Sequence, residues 1–405
     1  MIPSYDDAVA LDAADPLSRF REEFLLAEDP VAYLDGNSLG RPPRRTLQRV
    51  EDVLHRQWGE RLIRSWEEGW LELPEQVGDR LAAACLGAAP GQTVIAESTS
   101  VNLFKVLHAG CDLRPDRDEI VAADVDFPTD RYLVDSVAAS RGMTVRWLSP
   151  DVVEGVTEDE LRAVLSDRTA LVVLSHVDYR SGALLDLPAT TALVHEVGAL
   201  AIWDLCHSAG VVPIELDEAG VDLAVGCTYK YLNAGPGAPA FLYVAQRHLG
   251  TVRQPITGWW STADRFAMGP TYDPDRSIRA MLSGTAYVPG IAAVDASVSL
   301  VAEAGIDALR TKAVALTQMC VELADAWLVP HGFVVASPRD PARRGAHVTV
   351  QGPQAREVAA SMYAAAVIPD FRNPDMIRLG LSPLTTSYAE LWTAMDITRE
   401  IVEAL

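Results

Sequence analysis

The chain has 405 residues, of which 34 are basic and 56 acidic, giving a formal charge of −22 at neutral pH. Nucleic acid and anionic membranes are bound through clustered Lys and Arg, so this balance excludes both as partners. With 49% hydrophobic and 22% charged residues, the composition is that of a folded globular protein, long enough for roughly two or three domains or one large enzyme fold with an appendage.

The first twenty residues carry four aspartates and no apolar signal core, and no uncharged apolar run reaches the roughly 18–20 residues of a membrane span. Five scattered cysteines (Cys85, Cys111, Cys206, Cys227, Cys320) form no CxxC motif and are odd in number, which argues against a disulfide framework. The expectation is a soluble, reduced, cytoplasmic protein.

In chain order, the short apolar runs Thr93–Ala96, Glu119–Ala122, Thr144–Trp147, Ala170–Ser175 and Leu200–Asp204 predict strands buried on both faces. Thr157–Leu165 and Thr190–Val197 predict helices between them. That alternation is the pattern of a parallel α/β sheet. Val221–Gly226, a Gly/Pro-rich turn and Ala238–Val244 then predict an antiparallel pair at the end of the sheet. Ile291–Val329 is long and helical, with Ala, Leu and Val at three-to-four spacing. The tail mixes strands (Ala346–Val350, Ile377–Leu381) with helices (Ala355–Ala365, Glu390–Leu405). The economical reading is a large α/β domain followed by a smaller α+β domain.

Neither a GxxxxGKS/T loop nor a GxGxxG after a strand occurs, and His195-Glu196 lacks the second His of HExxH. The prolines of Gly235–Pro239 block a following helix, so that segment is a turn. More informative is Gly226–Gly237, where Lys230 follows an apolar strand, stands between Tyr229 and Tyr231 and precedes the glycine turn. A desolvated lysine in such a place can form a Schiff base, whereas an ordinary loop lysine snorkels to solvent. In Ala199–His207 a buried strand ends in Asp204, with His207 three residues on. The C-terminal ends of parallel strands are where open α/β sheets bind ligands. A strand-end Asp 26 residues before a loop lysine fits pyridoxal 5′-phosphate (PLP), the carboxylate keeping the ring nitrogen protonated and the lysine holding the aldehyde. The plainer alternative makes Asp204 a helix cap and His207 a core residue.

Ala96–Phe104 places hydroxyls and amides at a strand-to-helix turn, a natural anion cradle, and Phe127–Asp130 offers an aromatic face to a pyridine ring. Ser98, Thr99 or Asp130 can also act as helix caps.

Together these segments resemble the kynureninase family, PLP enzymes of the aspartate-aminotransferase fold (fold type I). The likeness runs through Tyr33–Gly40, Trp58–Trp66, Ser98–Leu107, Phe127–Asp130, Trp203–Gly210, Gly226–Gly237, Gly258–Trp260, Arg265–Met268, Leu282–Thr285 and Pro369–Arg378. It implies a large PLP-binding domain (30–290) with a mostly parallel seven-stranded sheet, and a smaller α+β domain (291–405 with 1–29). It further implies that Lys230 holds the cofactor and later moves the Cα proton, that Asp204 pairs with the ring nitrogen beside His207, and that Phe127 stacks on the ring, with Pro128, Thr129 and Asp130 following. Thr99, Ser100, Ser175 and Tyr229 would surround the phosphate and cofactor, with Tyr229 as proton relay. Trp259 and Thr285 would reach the phosphate from a partner subunit, making a homodimer the functional unit. Arg378 would clamp the substrate α-carboxylate, with Asn37, Ser38 and Trp66 also on the substrate side. No metal is implied; the roles of His108 and His176 stay open, and neither is assigned a catalytic part.

The implied reaction is hydrolysis of the Cβ–Cγ bond of kynurenine to anthranilate and alanine. The alternative is a PLP lyase, aldolase or aminotransferase acting on another amino acid. Four departures from the family pattern fall on the substrate side by analogy: Ser261-Thr262 for Gly-His, Glu67 in a shortened Ser65–Trp70, Ala286-Tyr287 after Gly284-Thr285, and Thr385 for Tyr. They predict a changed pocket for the γ-acyl group, and so a ring-substituted kynurenine or a non-aryl γ-keto amino acid as substrate. Ser261 and Thr262 can hydrogen-bond but do not titrate near neutral pH as a histidine does.

Overall fold

The computed structural model describes residues 2–27 and 30–405; Met1, Glu28 and Asp29, which fall in the N-terminal segment assigned above to the smaller domain, lie outside them. In chain order the strands are β1 (Ala32–Tyr33), β2 (Thr93–Ile95), β3 (Glu119–Ala123), β4 (Thr144–Leu148), β5 (Thr169–Ser175), β6 (Leu200–Asp204), β7 (Leu223–Gly226), β8 (Phe241–Val244), β9 (Val334–Val335), β10 (His347–Gln351), β11 (Val367–Ile368), β12 (Asp370–Arg372) and β13 (Met376–Gly380).

The main sheet has seven strands in the order β2-β8-β7-β6-β5-β3-β4. Strands β4, β3, β5, β6 and β7 run parallel, and β8 is antiparallel to β7 and to β2. The expected antiparallel pair is present, but it does not end the sheet. All four residues of β8 are buried, so its outer edge needs a partner, and the short β2 supplies one.

Period-2 alternation divides the apolar side chains between two cores. Val121, Val172, Leu174, Ala201 and Trp203 point to one face; Ile120, Leu171, Val173, Leu200 and Ile202 point to the other. Helices cover both faces, as a parallel sheet requires, and each fully buried Val or Leu contributes roughly 1.5–3 kcal/mol. The edge strand β4 is less buried and carries exposed Arg146, a charge that discourages pairing with another chain.

The single helical pattern expected over Ile291–Val329 is two helices, Val288–Ala304 and Ile306–Trp327. Gly305 separates them at φ +78°, a conformation that favours glycine. Beyond them an antiparallel sheet, β12-β13-β10-β9, packs its own core, with Leu316, Leu323, Val348, Ile377, Leu379 and Leu391. Ala8 of the first helix, and Ala32 and Leu34, also join this core. Among the described residues, no helix is long and apolar enough to cross a membrane.

Candidate active site

The ends of β5 and β6, the loops after β3 and β7, a helix N-terminus and two segments next to the second sheet enclose a cavity of about 210 Å³. At one wall, Ser98 caps the helix Thr99–Asp112, its Oγ accepting from the Val101 amide at 3.3 Å. Thr99 and Ser100 line the cavity. The first amides of this helix lack intrahelical partners, and the helix dipole is positive there, so the wall suits an anion.

Ser175 and Asp204 stand side by side in the β5–β6 register, and Asp204 Oδ1 accepts from the Cys206 amide at 2.7 Å. Pro128 starts the helix Pro128–Arg141, its fixed φ suiting a first helical position. That helix carries Thr129 and Asp130 into the cavity. Burial and the adjacent Asp204 carboxylate push the Asp130 carboxyl well above the usual carboxylate range. Burial also pushes Asp126 up to about 7, against a hydrogen bond from Ser175. Facing carboxyls that cannot all ionise invite a cationic N–H between them.

Lys230 Nζ lies 2.7 Å from His207 Nε2 and 6.0 Å from the Phe127 ring centroid. Burial, reinforced by the Lys230 charge, holds the His207 imidazole well below its ordinary pKa. The ring is therefore neutral and its Nε2 accepts from the ammonium. His207 Nδ1 is buried without a partner among the described residues. Tyr229 lines the same wall, and burial raises its phenol above the ordinary range.

At the far end, Arg378 on β13 donates through Nη2 to Ser38 Oγ at 2.7 Å and through Nη1 to the Tyr179 carbonyl at 2.5 Å, and forms an ion pair with Asp370 Oδ2 at 2.6 Å. With its amide oriented to satisfy both neighbours, Asn37 accepts from Arg378 Nε at 2.8 Å and donates to Asp35 at 3.2 Å. Burial pushes Asp35 up to about 6.

The cavity thus brings together Asn37, Ser38, Thr99, Ser100, Phe127, Thr129, Asp130, Ser175, Asp204, His207, Tyr229, Lys230 and Arg378. It also takes in Tyr179, Cys206 and Arg372, which sequence reading did not single out. Arg372 could have been found, because it lies six residues before Arg378 in the Pro369–Arg378 segment; Tyr179 carries no local signal. His176 is a core residue beside Trp203, its pKa lowered to about 3 by burial.

Trp66, Trp259 and Thr285 do not line this protomer's cavity. Trp66 packs edge-on against Trp70, Trp259 and Trp260 at centroid distances of 5.3, 6.4 and 5.4 Å, which holds its ring in an aromatic cluster. Trp259 Nε1 donates to Thr285 Oγ1 at 3.3 Å. The departing positions are also outside. Trp259 and Thr262 line one neighbouring cavity of about 400 Å³, and Thr285, Ala286 and Tyr287 another of about 420 Å³. Ser261 Oγ donates to the Gly258 carbonyl at 2.9 Å and Thr262 Oγ1 to the Trp259 carbonyl at 2.8 Å. Their hydroxyls therefore bond the local backbone within this protomer. Glu67 is exposed and Thr385 buried.

Residues 309–398 match the family described as Kynureninase C-terminal domain. A kynureninase from Pseudomonas fluorescens is 41% identical, covering 98% of this chain and 95% of that one. One from Burkholderia pseudomallei is 40% identical with the same coverage. Among solved structures, an apo cysteine desulfurase from Thermococcus onnurineus superposes with a TM-score of 0.85 at 17% identity, covering 96% of this chain and 98% of that one. A C-DES variant with glycine linked to its PLP cofactor superposes with a TM-score of 0.79 at 20% identity, over 93% and 98%. At such identities these two establish the fold, which is fold type I.

Proposed function

This chain belongs to the kynureninase family, and we propose that it hydrolyses the Cβ–Cγ bond of L-kynurenine or a ring-substituted kynurenine to L-alanine and the corresponding anthranilate. The observation that carries this reading is the convergence of Lys230, Asp204, the helix start at Thr99 and Arg378 on one cavity. The alternative of a lyase, aldolase or aminotransferase has no observation in its favour.

The cofactor is PLP, and the cavity's own chemistry fits it. The unpaired amides at Thr99 and Ser100 suit a phosphate, the Asp130 and Asp204 carboxyls suit a protonated ring nitrogen, Phe127 offers an aromatic face, and the Lys230 amine suits an aldehyde. When bound, the cofactor supplies an electron sink for the substrate's Cα. Lys230 Nζ moves the proton at Cα, and neutral His207 holds that amine in line by accepting from it at 2.7 Å. A phenol is protonated at neutral pH and burial raises the Tyr229 pKa further, so Tyr229 can donate a proton from the cavity wall. Arg378, with Asn37 and Ser38, orients the amino-acid end. One water adds at the γ-carbonyl; its oxygen ends in the aryl acid, and a proton ends on the alanine methyl.

A homodimer belongs to the same reading. Trp66, Trp259 and Thr285 stand outside their own protomer's cavity, and the same segments expose Trp58, Leu62, Ile63, Phe266, Met268 and Tyr287, the kind of apolar surface that subunits bury. Residues 30–290 form its large domain, and 291–405 with 1–29 its smaller one; the second core, shared by Ala8 and the residues from Leu316 onward, supports that division. The five unpaired, buried thiols suit a reducing cytoplasm.

The test is to give the purified holoenzyme L-kynurenine and 3-hydroxykynurenine and follow the fluorescence of the anthranilate product together with alanine release. Absence of both products with both substrates overturns the assignment.

A further inference from the structure

Of the 34 basic residues only three are lysines: Lys105, Lys230 and Lys312. Lys230 belongs to the active site, and Lys312 forms an ion pair with Asp15 at 2.7 Å. Lys105 lies on the helix that begins at Thr99, and no step of the reaction uses it. Its side chain is 0% exposed, and a charge so buried must be held by partners. Two are present: Nζ donates to Glu97 Oε1 at 3.1 Å and to the Met281 carbonyl at 2.9 Å.

Both partners stand at strategic places. Glu97 is the turn residue between β2 and the helix, at φ +54°, a left-handed conformation that a side chain other than glycine rarely adopts. Such a conformation persists where the surroundings over-determine it. Here the Ala240 amide donates to the Glu97 carbonyl at 2.9 Å, and Asn102 Nδ2 donates to the preceding Ala96 carbonyl at 2.9 Å. Helical side chains lean toward the N-terminus, so Lys105 reaches back past the first turns of its own helix to the Glu97 carboxylate. Ser98, Thr99 and Ser100 follow at once, and the direction of their amides depends on how Glu97 turns the chain. The second partner, Met281, ends the short turn Ile278–Met281 and leads into the segment that carries Thr285. Glu97, Ser98 and Thr285 line one neighbouring cavity. A single ammonium thus ties the helix start to that segment.

We propose that Lys105 is a positioning residue for the cofactor phosphate: by holding Glu97 in its left-handed turn, it fixes the amides of Thr99 and Ser100 where the phosphate is received. This rests on the reading of that helix start as the phosphate seat. Lys105 does not touch the cofactor; it acts through Glu97.

The experiment frees the full-length chain of cofactor with hydroxylamine and titrates it with PLP and with pyridoxal, which has the same ring and aldehyde but no phosphate. The visible absorbance of the lysine-linked ring reports binding. Lys105→Met keeps the stem and removes the ammonium; it is expected to weaken PLP by about tenfold or more and pyridoxal by less than about twofold. Glu97→Ala releases the turn from its other end, and alanine gains nothing at φ +54°. It is expected to weaken PLP by roughly three- to tenfold while sparing pyridoxal. Wild-type affinity for PLP in either variant overturns the proposal, which needs both ends of the pair. Equal weakening of PLP and pyridoxal also overturns it, because a purely structural residue would act on both. If Lys105→Met does not fold, Glu97→Ala decides by the same comparison. Neither titration involves a Cβ–Cγ bond, so a chain inactive on kynurenines would sink the proposed reaction without touching this result.

Discussion

A Cβ on Gly40 would fall 2.3 Å from the carbonyl oxygen of Lys230 and 2.3 Å from Asn233 Oδ1. Only a hydrogen fits between the turn that bears Asn37 and Ser38 and the loop that bears the lysine, and the Gly40 amide donates to the Tyr229 carbonyl at 2.8 Å to close that seam. The two ends of the site are thus set against each other through bare backbone. Gly40→Ala is expected to force them apart and lower kcat by about tenfold to a hundredfold, in line with the sensitivity of catalysis to displacements near 1 Å. Steady-state kinetics check this; wild-type kcat in the variant would show that the seam is not needed.

Lys230→Ala removes the only amine within hydrogen-bond reach of His207 among the described residues. The variant is expected to lose the visible absorbance of the lysine-linked cofactor and at least about a thousandfold in kcat, a large effect because nucleophile and proton carrier are lost together. Unchanged far-UV circular dichroism would confirm that the fold survives. Retention of the absorbance band would show that another amine holds the cofactor.

Glu75 gives a pH dependence of stability away from the site. One of its oxygens is buried without a partner, and the nearest cation, Arg279, is 4.0 Å away. Burial pushes its carboxyl from 4.5 up to about 7. The folded state therefore binds this proton more tightly than the unfolded state. Its stabilising effect is complete below about pH 4.5 and is lost as pH rises through 7. Glu75→Gln is expected to match wild type in urea unfolding near pH 4.5 and to exceed it by about 1–3 kcal/mol at pH 8. A constant difference at both pH values would contradict this.

Asp222 works in the opposite sense. Burial alone would raise its pKa, but hydrogen bonds from His195 Nε2 (2.7 Å), His248 Nε2 (2.8 Å) and the Ala201 amide (2.8 Å), with Arg247 Nη2 at 2.6 Å, hold it well below 3.8. Its contribution is present above about pH 4 and is lost as pH falls through the folded value. Asp222→Ala leaves the partners of a buried carboxylate unmatched and is expected to destabilise by about 3–5 kcal/mol at pH 7, less in acid. Chemical denaturation across pH measures both.

The inner strands of the main sheet were legible because they are buried on both faces, and runs such as Thr169–Ser175 are apolar almost throughout. The place of β8 between β7 and β2 was not, since a run of apolar residues records burial but not its neighbours. Asp204 and Lys230 announced themselves by their positions at the ends of β6 and β7. The pairing of Arg372 with Asp370 was not legible, because it depends on β12 lying antiparallel to β13 with Asp370 opposite Arg378. The bonds of Ser261 and Thr262 were hidden for a related reason: a hydroxyl in a sequence carries no sign of whether a carbonyl three residues back already holds it.

The cavity crowds Asp130, Asp204, Lys230, Arg372 and Arg378 into about 210 Å³. Without cofactor, the chain must keep those groups assembled by protonation and mutual pairing alone. A ligand that binds only the folded chain adds about 2.7 kcal/mol at a hundredfold excess over its Kd, enough to change the fraction exposed to proteases by about two orders of magnitude. In a cell, the turnover of this protein is therefore expected to follow the supply of its cofactor, scarcity removing the polypeptide along with its activity.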